Sequence, residues 1–308
     1  MIVARTIAEA RAALRELPRP FGFTPTMGAL HEGHLSLVDA ARARCAAVAA
    51  SIFVNPAQFG RGEDLENYPR DEGRDLGLFE ARGVGVVFAP EAGEMYPEGF
   101  ATQVHVGGPL AEQFEGASRP SHFDGVAVIV AKLLGVVRPD VLFLGQKDAQ
   151  QLAVVRRFVR DLDLPVDVVA VPTVREADGL AMSSRNAYLT PGERAAAPGL
   201  YRALLAGAAA AESGRPADDV AAVTARALLP SPASSAPSAD DYASHARGGH
   251  APFDIEYVAV VDADTFVQYH QTIGPRSLLV AAVRLGSTRL IDNIPLTTSA
   301  YPAEDATT

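Results

Sequence analysis

The sequence predicts a Rossmann-like α/β domain, built on a doubly wound parallel sheet, followed by a smaller α+β carboxyl-terminal domain. Three observations point that way. Short apolar runs recur through the first half of the chain, segments with helical periodicity separate them, and past residue 175 the order changes to helices first and strands last.

The apolar runs are FGFTP (21–25), AAVAASIFV (46–54), VGVVFAP (84–90), VLFLG (141–145) and VDVVAVP (166–172). Each is short and apolar on both faces, as a strand buried between two helical layers must be. Between them, HLSLVDAARARC, RDLGLFEARG, FDGVAVIVAKLLGVV and AQQLAVVRRFVRDL place apolar residues three and four apart, which gives helices that cover the sheet. The first domain is expected over residues 1–175. In the second, over 176–308, Thr190 reads as an N-cap with Pro191 behind it and Glu193 completing a capping box, ahead of an alanine-rich helix running to about Ser213. A further helix is expected through ADDVAAVTARALL. The Pro- and Ser-rich stretch 231–252 reads as a mobile loop, and IEYVAVVD, SLLVAAVRL and TRLIDNI read as strands.

Composition excludes several classes. The chain has 308 residues, 48% of them hydrophobic, enough for a large core, and no apolar run approaches the roughly 20 residues that span a bilayer. The amino terminus MIVARTIAEARAALREL mixes acids and bases where a signal peptide needs an apolar core, so the expected location is the cytoplasm with no membrane partner. A net charge of -10 provides no cationic field for nucleic acid. Any anionic ligand must therefore meet a local cationic site. The single cysteine, Cys45, has no disulfide partner within the chain and reads as a buried, inert thiol.

The stretch PTMGALHEGHLSLV (25–38) sets His31 and His34 three apart where a glycine-punctuated loop becomes an amphipathic helix. A helix starting near Leu30 would put both on one face. H-E-G-H is one residue short of the zinc-protease pattern H-E-x-x-H, which disfavours that chemistry without removing a structural role for the pair. Phosphate binding is the third reading, because a helix N-terminus offers free N-H groups and Gly28 and Gly33 allow close approach. Neither a Walker loop, a G-x-G-x-x-G fingerprint nor a G-x-S-x-G elbow occurs. Further polar groups follow apolar runs. Asn55 and Gln58 suit a small polyhydroxylated or carboxylate ligand, or equally an Asn-Pro turn. Lys147 and Asp148 offer a cation and a ribose partner, or a solvated helix start. Ser183, Ser184 and Arg185 match phosphate geometry, or form a polar interdomain turn.

Together six segments resemble the pantothenate synthetase (pantoate–β-alanine ligase) family of the HIGH-type nucleotidyltransferase superfamily. They are PTMGALHEGH (25–34), SIFVNPAQF (51–59), ENYPRD (66–71), SRPSHFDGV (118–126), GQKDAQQ (145–151) and VPTVREADGLAMSSRNAYL (171–189). The resemblance implies an ATP-dependent, two-step condensation of pantoate with β-alanine through a pantoyl adenylate. It makes His34, His31 and Lys147 the catalytic set. ATP would be bound by Pro25, Met27, Gly28, Ala29, Leu30, His31, Glu32, Gly33 and His34. Gly145, Gln146, Lys147, Asp148, Val174, Met182, Ser183, Ser184 and Arg185 would complete its site. Gln58 and Gln151 would bind pantoate, with Asn55 and Tyr68 nearby, Mg²⁺ would accompany ATP with Asp75 as a candidate ligand, and the chain would form a homodimer. Gln146 stands where the family leads one to expect Glu. The alternatives are another adenylyl-transferring member of the superfamily with a different small acceptor, and a catalytically silent ATP-binding protein.

Overall fold

The computed structural model describes residues 1–60, 62–229 and 253–297. It divides into two compact units, Met1–Val174 and Arg175–Thr308. The expected loop 231–252 lies outside the described residues.

The first unit is a six-stranded sheet with the order β1-β4-β3-β2-β5-β6, every pair parallel. The strands are β1 (Ile2–Ala4), β2 (Phe21–Thr26), β3 (Ala47–Ile52), β4 (Val86–Phe88), β5 (Val141–Gly145) and β6 (Asp167–Val171). Strand β1 has no counterpart among the sequence-predicted runs. Its three residues Ile-Val-Ala are too few to show a period, and they become a strand by pairing with β4 at the sheet edge.

The helices are α1 (Ile7–Arg15), α2 (Glu32–Arg44), α3 (Glu72–Ala81), the short α4 (Ala92–Met95), α5 (Pro109–Glu112) and α6 (Glu115–Ser118), then α7 (His122–Val137) and α8 (Ala149–Asp161). Strand residues alternate between the two sides. Val48, Ala50, Val87, Val141 and Phe143 pack with Leu35, Val38 and Ala41 of α2 and Phe79 of α3 in one core. Helix α7 is apolar around most of its circumference, with twelve buried residues. That suits a helix wedged between other elements rather than lying on a surface. Cys45, expected as a buried helical thiol, is instead the C-cap of α2, and burial raises its pKa.

From β2 the chain proceeds to β3 and β4 on one side, while β5 and β6 extend the sheet on the other. The loops leaving the carboxyl ends of β2 and β5 therefore part in opposite directions and open a crevice between them. Residues 27–31 and 146–148 occupy those two exits.

The second unit has α9 (Pro191–Ala196), α10 (Gly199–Glu212) and α11 (Ala217–Leu228), with an antiparallel sheet of β7 (Asp254–Asp262), β8 (Ser277–Leu285) and β9 (Thr288–Pro295). Leu200, Leu204 and Val220 pack against Val260, Leu279 and Val283 to form its core. The Thr190–Glu193 capping box is present. The single alanine-rich helix expected from there to Ser213 is two helices, since Pro198 lacks the N-H that would continue α9.

Candidate active site at the β2 and β5 strand ends

Strand β2 ends in a loop whose shape is fixed by a buried carboxylate. Gly28 has φ +81° and Ala29 φ +51°, so two successive residues lie in the left-handed region, which an alanine adopts only when held there. Asp75, at 1% exposure, holds it: Oδ2 accepts from Ala29 N at 2.8 Å and Oδ1 from Leu30 N at 2.9 Å. Its neighbour Arg74 donates to Leu30 O at 2.9 Å, and the Leu30 side chain is buried in the α2 core. Asp75, the candidate Mg²⁺ ligand, thus has a structural task in this loop. Each oxygen accepts from one backbone N-H, Arg74 Nη1 lies 3.6 Å from Oδ1, and the residue anchors the loop.

Helix α2 begins at Glu32, two residues later than expected, which makes His31 its N-cap. The two histidines act as a capping box, a task usually performed by a Ser or Thr and a Glu. His31 Nδ1 accepts from Gly33 N at 3.1 Å, His34 Nδ1 accepts from His31 N at 3.4 Å, and the ring centroids lie 4.1 Å apart. A backbone N-H can only donate. Both Nδ1 atoms must therefore be bare, and each neutral ring carries its proton on Nε2. His34 retains some exposed surface, yet its pKa is lowered to about 3, by burial first and then by His31, with Asp148 opposing and Lys147 adding to the effect. His34 is thus a neutral N-H donor near neutral pH, not a cation. Lys147 and Asp148, at the β5 exit, are thus near enough to His34, at the β2 exit, for their charges to act on it. Lys147 Nζ lies 3.4 Å from Asp148 Oδ1 in the turn Gln146–Asp148, directly after Gly145.

Beyond β3 a 3₁₀ turn, Pro56–Gln58, carries the predicted amides. Asn55 Oδ1 accepts from Ala57 N at 3.3 Å and Asn55 Nδ2 donates to Gly125 O at 3.0 Å, so two backbone groups fix which way this amide faces. Tyr96 Oη then donates to Asn55 Oδ1 at 2.7 Å. Asn55 Nδ2 also donates to Gln58 Oε1 at 3.0 Å, which turns Gln58 Nε2 toward Met27, where it donates to Sδ at 3.2 Å. Gln58 consequently offers donors. Tyr68, 5% exposed, packs edge-on against Phe59. On α8, Gln150 is buried with three partners, Glu115 N, Leu110 O and Gln113 O, whereas Gln151 is about 100° round the helix and half-buried.

Val174 closes the first unit. Met182, Ser183, Ser184 and Arg185 belong to the second, where Ser183 caps the 3₁₀ turn Ser184–Tyr188 by accepting from Arg185 N at 3.3 Å. The loop before them is braced by its acids: Glu176 and Asp178 both pair with Arg194 at 2.6 Å, and Arg175 forms two bonds to the buried Asp292 while stacking 3.8 Å over Tyr201.

Sequence reasoning gave no role to His122, Arg119 or Tyr96. His122 is 7% exposed, its Nδ1 lies 2.8 Å from Gln58 O, and its pKa is lowered to about 4, by burial first and then by Arg119. A histidine whose folded pKa lies below its unfolded value stabilises the fold above about pH 6.5, and that contribution is lost as pH falls toward 4. Between pH 6 and 4 this group should lower unfolding free energy by about 1 kcal/mol per pH unit, and urea titrations of His122→Asn should show a correspondingly shallower dependence.

No group of three or more His, Cys, Asp or Glu suited to a metal ion occurs among the described residues. The donor set therefore does not form a protein-only cation cage. Among the described residues no helix is long and apolar enough to cross a membrane.

Comparison with known proteins fits this geometry. The sequence profile of the family described as Pantoate-beta-alanine ligase matches residues 2–295. A pantothenate synthetase from Chloroflexus aggregans is 52% identical, with 95% of this chain and 99% of the relative covered, and one from Rhizorhabdus wittichii is 50% identical over 96% and 98%. Among solved structures, pantothenate synthetase from Thermus thermophilus superposes with a TM-score of 0.85 at 47% identity, covering 98% of this chain and all of the other. Pantoate-beta-alanine ligase from Francisella tularensis, crystallised with βγ-ATP and β-alanine, gives a TM-score of 0.74 at 29% identity over 96% and 97%.

Proposed function

Because the chain belongs to the pantoate-beta-alanine ligase family, we propose that it condenses pantoate with β-alanine, using ATP, to form pantothenate through a pantoyl adenylate. The observation that supports this most is a pair of neutral imidazoles with their protons on Nε2, His31 and His34 at the β2 exit, with the charges of Lys147 and Asp148 at the β5 exit acting on His34.

A carboxylate is a poor acyl donor until one of its oxygens belongs to a good leaving group. In the first step a pantoate carboxylate oxygen attacks the α-phosphorus, forming a P-O bond while the bond to pyrophosphate breaks. Negative charge grows on the phosphate oxygens, where Lys147 supplies a full charge and the imidazoles supply oriented N-H dipoles. In the second step the neutral amine of β-alanine attacks the acyl carbon. The C-N bond forms, AMP departs with the former carboxylate oxygen, and the amine proton is released. Gln58 Nε2, aimed by Asn55, binds the acid substrate as a donor, together with Gln151, with Asn55 and Tyr68 close by. Val174 and residues 182–185 complete the ATP site in this reading. Mg²⁺ accompanies ATP, held mainly by phosphate oxygens, with Asp75 as the candidate protein ligand. The reading also includes a cytoplasmic homodimer.

Pyrophosphate release with ATP, Mg²⁺ and pantoate tests the proposal. Wild type should release it, and His34→Ala should be slower by on the order of 10²-fold. Absence of pantoate-dependent release in wild type would overturn it, and activity with other small carboxylic acids but not pantoate would replace it.

A further inference from the structure

Residues 118–126, SRPSHFDGV, run from the end of α6 into α7, and three of them face the 3₁₀ turn that carries Gln58. Gly125 lets the turn settle on the helix, since a Cβ there would overlap the Ala57 carbonyl. One turn earlier, His122 Nδ1 lies 2.8 Å from Gln58 O. One turn earlier again, Arg119 Nη1 lies 3.0 Å from His122 Nε2, and its Nη2 also reaches Gln58 O at 3.3 Å. Glu63 fixes this guanidinium from the opposite side, accepting from Nε at 2.9 Å and from Nη2 at 2.6 Å.

Hydrogen-bond logic leaves one arrangement. The Gln58 carbonyl accepts and cannot donate, so His122 Nδ1 carries the hydrogen. The guanidinium donates and cannot accept, so Nε2 is bare. A neutral imidazole of a single tautomer thus links a cation, itself held by Glu63, to one backbone carbonyl. Holding a carbonyl on a helix stabilises the turn, but here the same residue carries an amide whose Nε2, directed at Met27 in the β2 exit loop, is set separately by Asn55. Backbone position and amide orientation are therefore fixed by different partners.

We propose that His122, backed by Arg119, is a positioning residue for the acid substrate, holding the Gln58 backbone so that Nε2-H meets a carboxylate or hydroxyl oxygen of that substrate. This rests on the reading of Gln58 as a substrate amide. His122→Asn and His122→Gln separate the two ring nitrogens, since an Asn Nδ2 stands near the place of Nδ1 and a Gln amide near that of Nε2. Each variant keeps one of the two polar contacts of the ring, Asn that to Gln58 O and Gln that to Arg119.

Steady-state kinetics with pantoate, β-alanine and ATP should show KM for pantoate raised about tenfold in His122→Gln and within about threefold of wild type in His122→Asn, with KM for ATP little changed in either. Equal rises in KM for pantoate and ATP, or a Gln variant that behaves as wild type, would overturn the proposal. Hydrogen exchange across residues 55–59 reads the clamp without turnover. Faster exchange in the Gln variant than in the Asn variant supports it, and identical exchange in both variants and wild type overturns it. Wild-type enzyme inactive with pantoate would overturn the proposed function and the substrate half of this inference, leaving exchange to decide the clamp.

Discussion

Lys147→Ala lowers the rate of adenylate formation by on the order of 10²-fold or more, measured as single-turnover pyrophosphate release. The size of the effect follows from the histidines. Had either imidazole been cationic, part of the charge developing on the phosphate would remain covered without the lysine. Both Nδ1 atoms instead accept from backbone N-H groups, and His34 stays neutral far below physiological pH, so neither ring supplies a full positive charge. Within the first unit Lys147 stands at the β5 exit, electrostatically coupled to His34. An unchanged rate would assign Lys147 a structural task and leave the transition-state charge to other groups.

Asp75→Ala destabilises the protein by on the order of 2 to 6 kcal/mol, because two buried N-H groups lose their acceptors together. Ala29 would also lose the bond that holds it at φ +51°. The loop presents His31, so activity should fall with stability, even though Asp75 is a positioning residue that bonds only backbone in this loop. Asp75→Asn should recover little, since one carboxylate oxygen becomes an NH₂ group facing another N-H. Urea unfolding measures the effect, and an alanine variant within about 1 kcal/mol of wild type would remove Asp75 from this role.

Much of this architecture was legible in the residues. VLFLG became β5 at the expected bounds, and Thr190 with Glu193 forms the expected capping box, because each signal is local and strong. Strand β1 was not legible, since three residues carry no period and their strand character comes from β4. The chemistry of the histidines was legible only in part. Their spacing and the preceding glycine announce a helix start, but the protonated nitrogen depends on which backbone N-H reaches each ring, and that requires coordinates. The anchoring task of Asp75 was hidden for a related reason: sequence shows a carboxylate near the site, while its partners lie 45 and 46 residues away. His122 and Arg119 stood inside a recognised motif with no role, because what they hold is a main-chain oxygen that no side-chain pattern reveals.

The imidazole capping box has a consequence for ion selectivity. Copper, nickel and other imidazole-seeking metals bind through a ring-nitrogen lone pair. In this pair the Nδ1 lone pairs are already engaged with the start of α2, and each Nε2 carries a hydrogen. To ligate such an ion, a ring must release its Nε2 proton or abandon the helix it caps. A pair of adjacent histidines, ordinarily an invitation to those metals, is here turned against them by the helix start that both rings cap.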